Sequence, residues 1–170
     1  RAIEAIGGAP VLVCEAPLCT LLSKDFNTHE IKIGEDGRKQ AQEAISEHQP
    51  ALIISIERPG QCSDGRYYNM RGIDISEHCA DYDSFISLAA CPTIAIGDGG
   101  NEIGMGNITE ALEQLDIRAA STGCDELLLA DISNWAAHGL VALLSVISNQ
   151  DILADWNNIA VLQMLSEGGS

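Results

Sequence analysis

The strongest constraint on the fold comes from five short, mostly continuous apolar runs: Val11-Leu-Val-Cys14, Ile31-Lys-Ile33, Ala51-Leu-Ile-Ile-Ser-Ile56, Thr93-Ile-Ala-Ile96 and Glu126-Leu-Leu-Leu-Ala130. A strand wetted on one face alternates with period two, whereas a strand covered on both faces reads as a near-continuous apolar stretch, as in a parallel sheet. Between several of these runs the spacing turns helical. Over 36–48, Ala41, Ala44, Ile45 and His48 fall on one face, and Pro50 closes the segment before the next run. Helices are also expected from Asn107 through Leu115, over 133–148 with Ser133 as N-cap, and over 151–164 with Leu153, Trp156, Ala160 and Met164 along one side. The pattern predicts an α/β fold: a mostly parallel sheet with flanking helices in a three-layer, Rossmann-like arrangement. Aromatic residues are only 4% while Gly and Ala are plentiful, which suits close helix-on-sheet layers better than an aromatic-centred sandwich. At 170 residues and 46% hydrophobic content the chain can bury one sizeable core, so a single domain over 1–170 is expected.

Charge narrows the partners. A formal net charge of −16 with only nine Lys and Arg argues against nucleic acid and anionic membrane, because phosphate binding needs clustered cations. The same acidity suits hard divalent cations, which choose carboxylate oxygens, although acidity alone more often serves solubility. No apolar run approaches the roughly 20 residues that span a bilayer. The start at Arg1-Ala-Ile-Glu4 has neither a signal-peptide layout nor an initiator Met, which predicts a soluble piece of a longer chain. Six cysteines without a C-x-x-C spacing are expected as reduced thiols in a cytoplasmic protein, and structural zinc is disfavoured. His29, His48, His78 and His138 share no motif, and none is favoured as a catalyst.

Two connections are too long for ordinary turns. Residues 57–92 hold no clear strand, which suggests a functional loop or insertion, and 97–107 is dense in glycine. The second reads Gly97-Asp-Gly-Gly-Asn-Glu-Ile-Gly-Met-Gly-Asn107, directly after a run expected to be a strand. Ligands in α/β sheets gather at the carboxyl ends of strands. Five glycines within 97–106 lose much entropy on folding, a cost that persists where close backbone approach or positive φ is needed. A phosphate cradle fits poorly: the order departs from G-x-G-x-x-G, Walker's Gly-Lys-Ser is absent, and Asp98 and Glu102 repel phosphate unless a metal intervenes. These two acids read better as hard-metal ligands or an acid/base pair, with Asn101 as a neutral oxygen ligand or donor. An elaborate turn whose acids face water is the plainer alternative.

Glu57 ends the run 51–56 on the edge where the glycine loop should lie, and so can join the same carboxylate cluster. Arg58 and Arg71 are candidates to clamp a substrate carboxylate through the planar guanidinium fork, or else they pair with surface acids at little gain. Asp74 and Ser76 are a site acid and its support, or an N-cap. In Asp131-Ile-Ser-Asn-Trp135, capping by Ser133 and core burial of Trp135 explain most of the pattern, leaving Asn134 as a site candidate.

Taken together, Ile56-Glu-Arg-Pro-Gly60, Tyr67-Tyr-Asn-Met-Arg-Gly-Ile-Asp-Ile-Ser76, the glycine segment 96–107 and Ser133-Asn-Trp135 resemble the C-terminal catalytic domain of the D-glutamate cyclase family, densely and in family order over 57 to about 140. The resemblance implies a hydro-lyase that interconverts D-glutamate and 5-oxo-D-proline plus water, with Mn or Mg as cofactor. It further implies an acidic pocket lined by Glu57, Asp98, Asn101 and Glu102, with Arg71 and Asn134 near it. Under this reading Glu57, Asp98 and Glu102 are the catalytic and metal-binding acids, and Arg71, Asn101 and Asn134 contact a substrate such as D-glutamate or a similar amino acid. It also implies a preceding glycine-rich loop that these 170 residues lack, as in an N-terminally truncated piece. Two other functions compete: a metal-dependent phosphate-ester hydrolase, and a non-catalytic domain that binds a small carboxylate or nucleotide. A homo-oligomer is compatible with all three.

Overall fold

The computed structural model describes residues 1–154 and 157–167. In chain order these form α1 (Ala2–Ala5), β1 (Leu12–Cys14), α2 (Leu18–Leu22), β2 (Thr28–Glu30), α3 (Gly37–His48), β3 (Ile53–Ile56), α4 (Asp83–Ser87), β4 (Thr93–Gly97), α5 (Thr109–Leu112), β5 (Glu126–Leu129), α6 (Ser133–Ser148) and α7 (Asn158–Glu167). Short 3-10 turns stand at Ser76–His78 and Met105–Ile108. The chain forms two compact units, one made of Arg1–Lys32 with His138–Ser170, the other of Ile33–Ala137. The fold is α/β with open, parallel sheets flanked by helices, as the apolar runs require.

In the first unit β1 and β2 pair in parallel, Leu12 with Thr28, Val13 with His29 and Cys14 with Glu30. The second strand therefore lies three residues before the run Ile31–Ile33 that marked it in the sequence. Ile31 is the buried residue at 2% exposure, just past the ladder, with its N–H still bonded to the Cys14 carbonyl at 3.1 Å, whereas Ile33 is exposed. The apolar letters thus mark where this strand enters the core, and polar Thr28-His29-Glu30 carries the pairing. The last helix begins at Asn158 rather than at 151; Trp156 and 168–170 lie outside the described residues.

The second unit is built on the parallel order β3-β4-β5, with Ile56 opposite Ile96 and Gly97 opposite Leu129. Central β4 is the most deeply covered strand: Ala95 and Ile96 are almost fully buried. α3 follows its expected bounds. The Asp36 carboxylate accepts from Lys39 N–H at 3.0 Å, Ala41 and Ala44 are buried, and Gln49 takes φ 44° to end the helix before Pro50. The helix expected through Leu115 is shorter, a 3-10 turn followed by α5, where Met105, Leu112 and Ala120 form a small core with Ile108, Ile117 and Leu127 around it. None of the six cysteines, all among the described residues, is joined in a disulfide. No helix among the described residues is long and apolar enough to cross a membrane.

Two expectations at the start of α6 are overturned. Trp135 is 61% exposed rather than core, because the inward position of the first turn is taken by Ser133, which is fully buried, and two residues along a helix is about 200° of rotation. The Ser133 hydroxyl also does not cap the helix: among the described residues it has no hydrogen-bond partner. The cap comes from a distant residue instead.

Candidate functional site

That cap is Asp98, whose Oδ2 accepts from the Ser133 N–H at 2.8 Å. Asp98 follows the last residue of β4, so a carboxylate on the carboxyl edge of the sheet meets the positive end of a 16-residue helix. Glu57 stands beside it on the end of β3, donating its N–H to the Ile96 carbonyl at 2.8 Å. The backbone there takes φ 51°, a left-handed conformation that costs a residue with a Cβ about 1–2 kcal/mol. Such outliers concentrate at functional sites.

The next residues zip onto the glycine loop: Gly60 N–H donates to the Asn101 carbonyl and Ile103 N–H to the Arg58 carbonyl, both at 2.9 Å. Glu102 sits in this seam, 5% exposed, and the loop wraps its carboxylate. Oε1 accepts from Gly99 N–H at 2.9 Å and Oε2 from Gly100 N–H at 2.7 Å. Burial first, then the charges of Asp98 and Glu102, push the Glu57 carboxyl above its ordinary value.

Opposite the acids a hairpin supplies a second wall. Asn69 Oδ1 accepts from the N–H groups of Arg71 and Ile73 at 2.9 and 3.1 Å, Gly72 turns the chain at φ 70°, and Tyr68 bridges Asp74. Asn101 Nδ2 donates to the Tyr68 carbonyl at 2.8 Å, tying hairpin to glycine loop. The tip carries Met70 over Gly99: a Cβ built at 99 would stand 2.8 Å from Met70 Sδ and 2.9 Å from Glu102 Oε1.

Between the walls lies a cleft of about 410 Å³, lined by Glu57, Asp98 and Glu102, by Asn69, Asn101 and Arg71, and by apolar Pro59, Met70 and Ile75. Five of the six residues singled out from the sequence are therefore gathered in one hollow. Arg71 is exposed, and among the described residues no carboxylate pairs with its guanidinium. Asn134 is exposed on the first turn of α6 and is not part of the lining. Arg58 is occupied elsewhere, its guanidinium 4.0 Å over the Tyr82 ring and hydrogen-bonded to the Tyr82 hydroxyl. Asp74 accepts from the Ser76 N–H and hydroxyl at 2.9 and 2.6 Å, a local bracing role. Met70, Asn69 and Ile75 escaped the sequence reading. The turn was signalled by Asn69 and Gly72, but not the wall against which it folds.

The donor set is chemically that of a hard divalent cation: three carboxylates and the amide oxygen of Asn101. Asp98 Oδ2 and both Glu102 oxygens already accept one backbone N–H each, which fixes their direction and leaves lone pairs over. The oxygens of the three acids do not all lie within 4.8 Å of one another, so holding one ion with all of them requires the side chains to draw in.

Comparison with known proteins decides the family. The profile of the D-glutamate cyclase-like, C-terminal family matches residues 1–170. The chain belongs to this family. A similar protein is the human "D-glutamate cyclase, mitochondrial", 36% identical over a match that covers 56% of this chain and 17% of the human protein. The chain thus corresponds to a small part of that relative's length. Family membership makes this a domain of a lyase-like enzyme family, and its acid-lined hollow at the carboxyl edge of β3 and β4 is the candidate site.

Proposed function

We propose that this domain carries the reaction centre that interconverts D-glutamate and 5-oxo-D-proline plus water. The observation that supports it most is the raised carboxyl of Glu57 beside Asp98 and Glu102, in a cleft that Arg71 also lines with no carboxylate partner among the described residues. An acid with an elevated pKa is a better proton acceptor than a surface carboxylate and still gives the proton back.

In this reading Arg71 grips the α-carboxylate of D-glutamate through two parallel hydrogen bonds. The methylene groups lie along Met70, Ile75 and Pro59, and the γ-carboxylate points to the acids. A divalent cation, Mn or Mg, would be held by Asp98 and Glu102 with Asn101, and by Glu57 where Glu57 does not act as the base, and would supply charge neutralisation and Lewis-acid polarisation of that γ-carboxylate. An acid not engaged with the cation, for which Glu57 is the best suited, takes a proton from the α-ammonium. The freed nitrogen lone pair forms the C–N bond at the γ-carbon, nitrogen gives up a second proton, and one γ-oxygen leaves as water with the two protons that nitrogen lost. Holding the chain curled supplies much of the rate, since oriented intramolecular reactions reach effective molarities of about 10⁵ M or more.

The test is incubation of metal-stripped protein with D-glutamate, with and without Mn, following loss of the primary amine, with the full-length parent protein alongside. Amine loss that depends on Mn and vanishes in Glu57→Gln supports the reading. An inactive parent, or phosphate release from an ester panel without lactam formation, overturns it.

A further inference from the structure

Behind the cleft lies a carboxylate that the reaction does not use. Asp83, at the start of α4, is 6% exposed, and among the described residues no cationic side chain offsets its charge. Three neutral donors satisfy it: Gln61 N–H at 3.0 Å and the Thr122 hydroxyl on Oδ1, and the Tyr67 hydroxyl at 3.0 Å on Oδ2. A buried anion without a counter-ion is costly, and replacing it with a well-packed apolar group is often neutral or stabilising, so stability alone does not explain its presence.

Each donor is tied to a different segment of the cleft. Gln61 continues the segment that starts at Glu57 and Pro59, and its carbonyl receives Ser121 N–H at 2.7 Å. Tyr67 opens the hairpin that carries Met70 and Arg71; its carbonyl receives Ile75 N–H at 2.9 Å and its N–H goes to Ser76 Oγ at 3.0 Å. The Thr122 carbonyl receives Gly104 N–H at 2.8 Å and Gly106 N–H at 3.2 Å, closing the glycine loop that bears Asp98 and Glu102.

We propose that Asp83 is the positioning residue of the cleft, a buried anion on which the strand-end segment, the hairpin and the glycine loop all hang, so that its charge sets their mutual register. The proposal takes the cleft as the site, resting on the preceding reading only for the turnover measurement. A hydrogen bond to a charged acceptor is roughly twice as strong as a neutral one, and Asn in place of Asp removes the charge and turns one acceptor atom into a donor, which the Tyr67 hydroxyl can meet only by reversing its own hydrogen bond.

The experiment compares wild type, Asp83→Asn, Tyr67→Phe and, as a control of matched stability loss, Ala44→Gly in α3, by amide hydrogen exchange of the whole chain. For Asp83→Asn the expected result is exchange at least tenfold faster at both Ile75 and Gly104 than in the control. For Tyr67→Phe, which leaves the carboxylate in place and covers the case in which Asp83→Asn does not fold, the acceleration is expected at Ile75 and not at Gly104. Exchange at these amides no faster than in Ala44→Gly overturns the proposal. With D-glutamate, kcat is expected to drop tenfold or more in Tyr67→Phe while the control keeps its kcat, and equal loss in both overturns the positioning role. A wild type that does not turn over D-glutamate removes the reaction reading and leaves the exchange comparison to decide on Asp83.

Discussion

Two glycines of the same loop are expected to fail in different ways when given a methyl group. Gly104 takes φ 97°, and a Cβ there would stand 2.4 Å from Ala95 Cβ, 3.0 Å from Leu127 Cδ1 and 3.1 Å from Cys124 Sγ. The left-handed backbone costs alanine about 1–2 kcal/mol, and overpacking against the central strand adds about 1–3 kcal/mol. The lower entropy of an unfolded alanine returns about 0.4–1 kcal/mol. Gly104→Ala should therefore lose about 1–4.5 kcal/mol, against a total of about 5–15 kcal/mol for an ordinary domain. Gly99 has no positive φ, and its Cβ would meet side-chain ends rather than backbone: Met70 Sδ, Glu102 Oε1 and Asn101 Oδ1 at 2.8, 2.9 and 3.2 Å. Gly99→Ala should stay within about 1 kcal/mol of wild type in stability, yet displace two of the cleft's polar groups and weaken Mn binding tenfold or more. Urea unfolding reads the first, where a slope of about 1–3 kcal/mol per molar turns a mid-range loss of about 3 kcal/mol into a midpoint shift of about 1–3 M. Mn titration of the folded proteins reads the second. Equal urea midpoints for Gly104→Ala and wild type, or Mn affinity unchanged in Gly99→Ala, would refute the division between a packing glycine and a site glycine.

Asp98→Ala should cost about 1 kcal/mol through loss of the α6 cap, measured by urea unfolding, and abolish Mn binding; Asp98→Asn, which keeps an acceptor for Ser133 N–H, should recover the stability but not the metal. Because the folded-state pKa of Glu57 lies above its ordinary 4.5, ionising it weakens the metal-free fold. Stability should therefore rise as pH falls from above the folded value towards 4.5, and Glu57→Gln should flatten that slope. With Mn saturating, the cation favours the ionised acid, and the slope should shrink or reverse across the same window. Arg71→Ala, at an exposed and unpaired position, should leave the melting temperature unchanged while raising KM for D-glutamate tenfold or more; a shift in stability with KM intact would place Arg71 in the scaffold.

Most of the fold was legible because burial on both faces writes itself into consecutive letters. β1, β3, β4 and β5 fall within the apolar runs or one residue beyond them, and α3 follows its periodicity and its Asp36 cap. β2 was not, because its ladder runs through Thr28-His29-Glu30 and hydrogen bonding alone leaves no hydropathic mark. The site was legible where acids follow strands: Glu57 and Asp98 are the residues immediately after β3 and β4. What escaped depends on partners distant in sequence. Local capping rules point to the hydroxyl of Ser133, while the group that caps α6 is 35 residues away. Trp135 belongs to a helix so apolar on every side that its pattern names no inner face. Asp83 lies among polar neighbours with no local signal, and only the meeting of Gln61, Tyr67 and Thr122 reveals it.

Under the proposed function, the left-handed backbone at Glu57 sets stability and chemistry against each other at a single codon. Glycine there would shed about 1–2 kcal/mol of conformational strain, partly offset by about 0.5–1 kcal/mol of its own entropy loss, and would also remove one of three mutually repelling charges. A library sorted for heat resistance alone should thus return glycine at 57 from protein that no longer holds an acid at the strand end. Directed evolution of this domain needs a catalytic sieve from its first round.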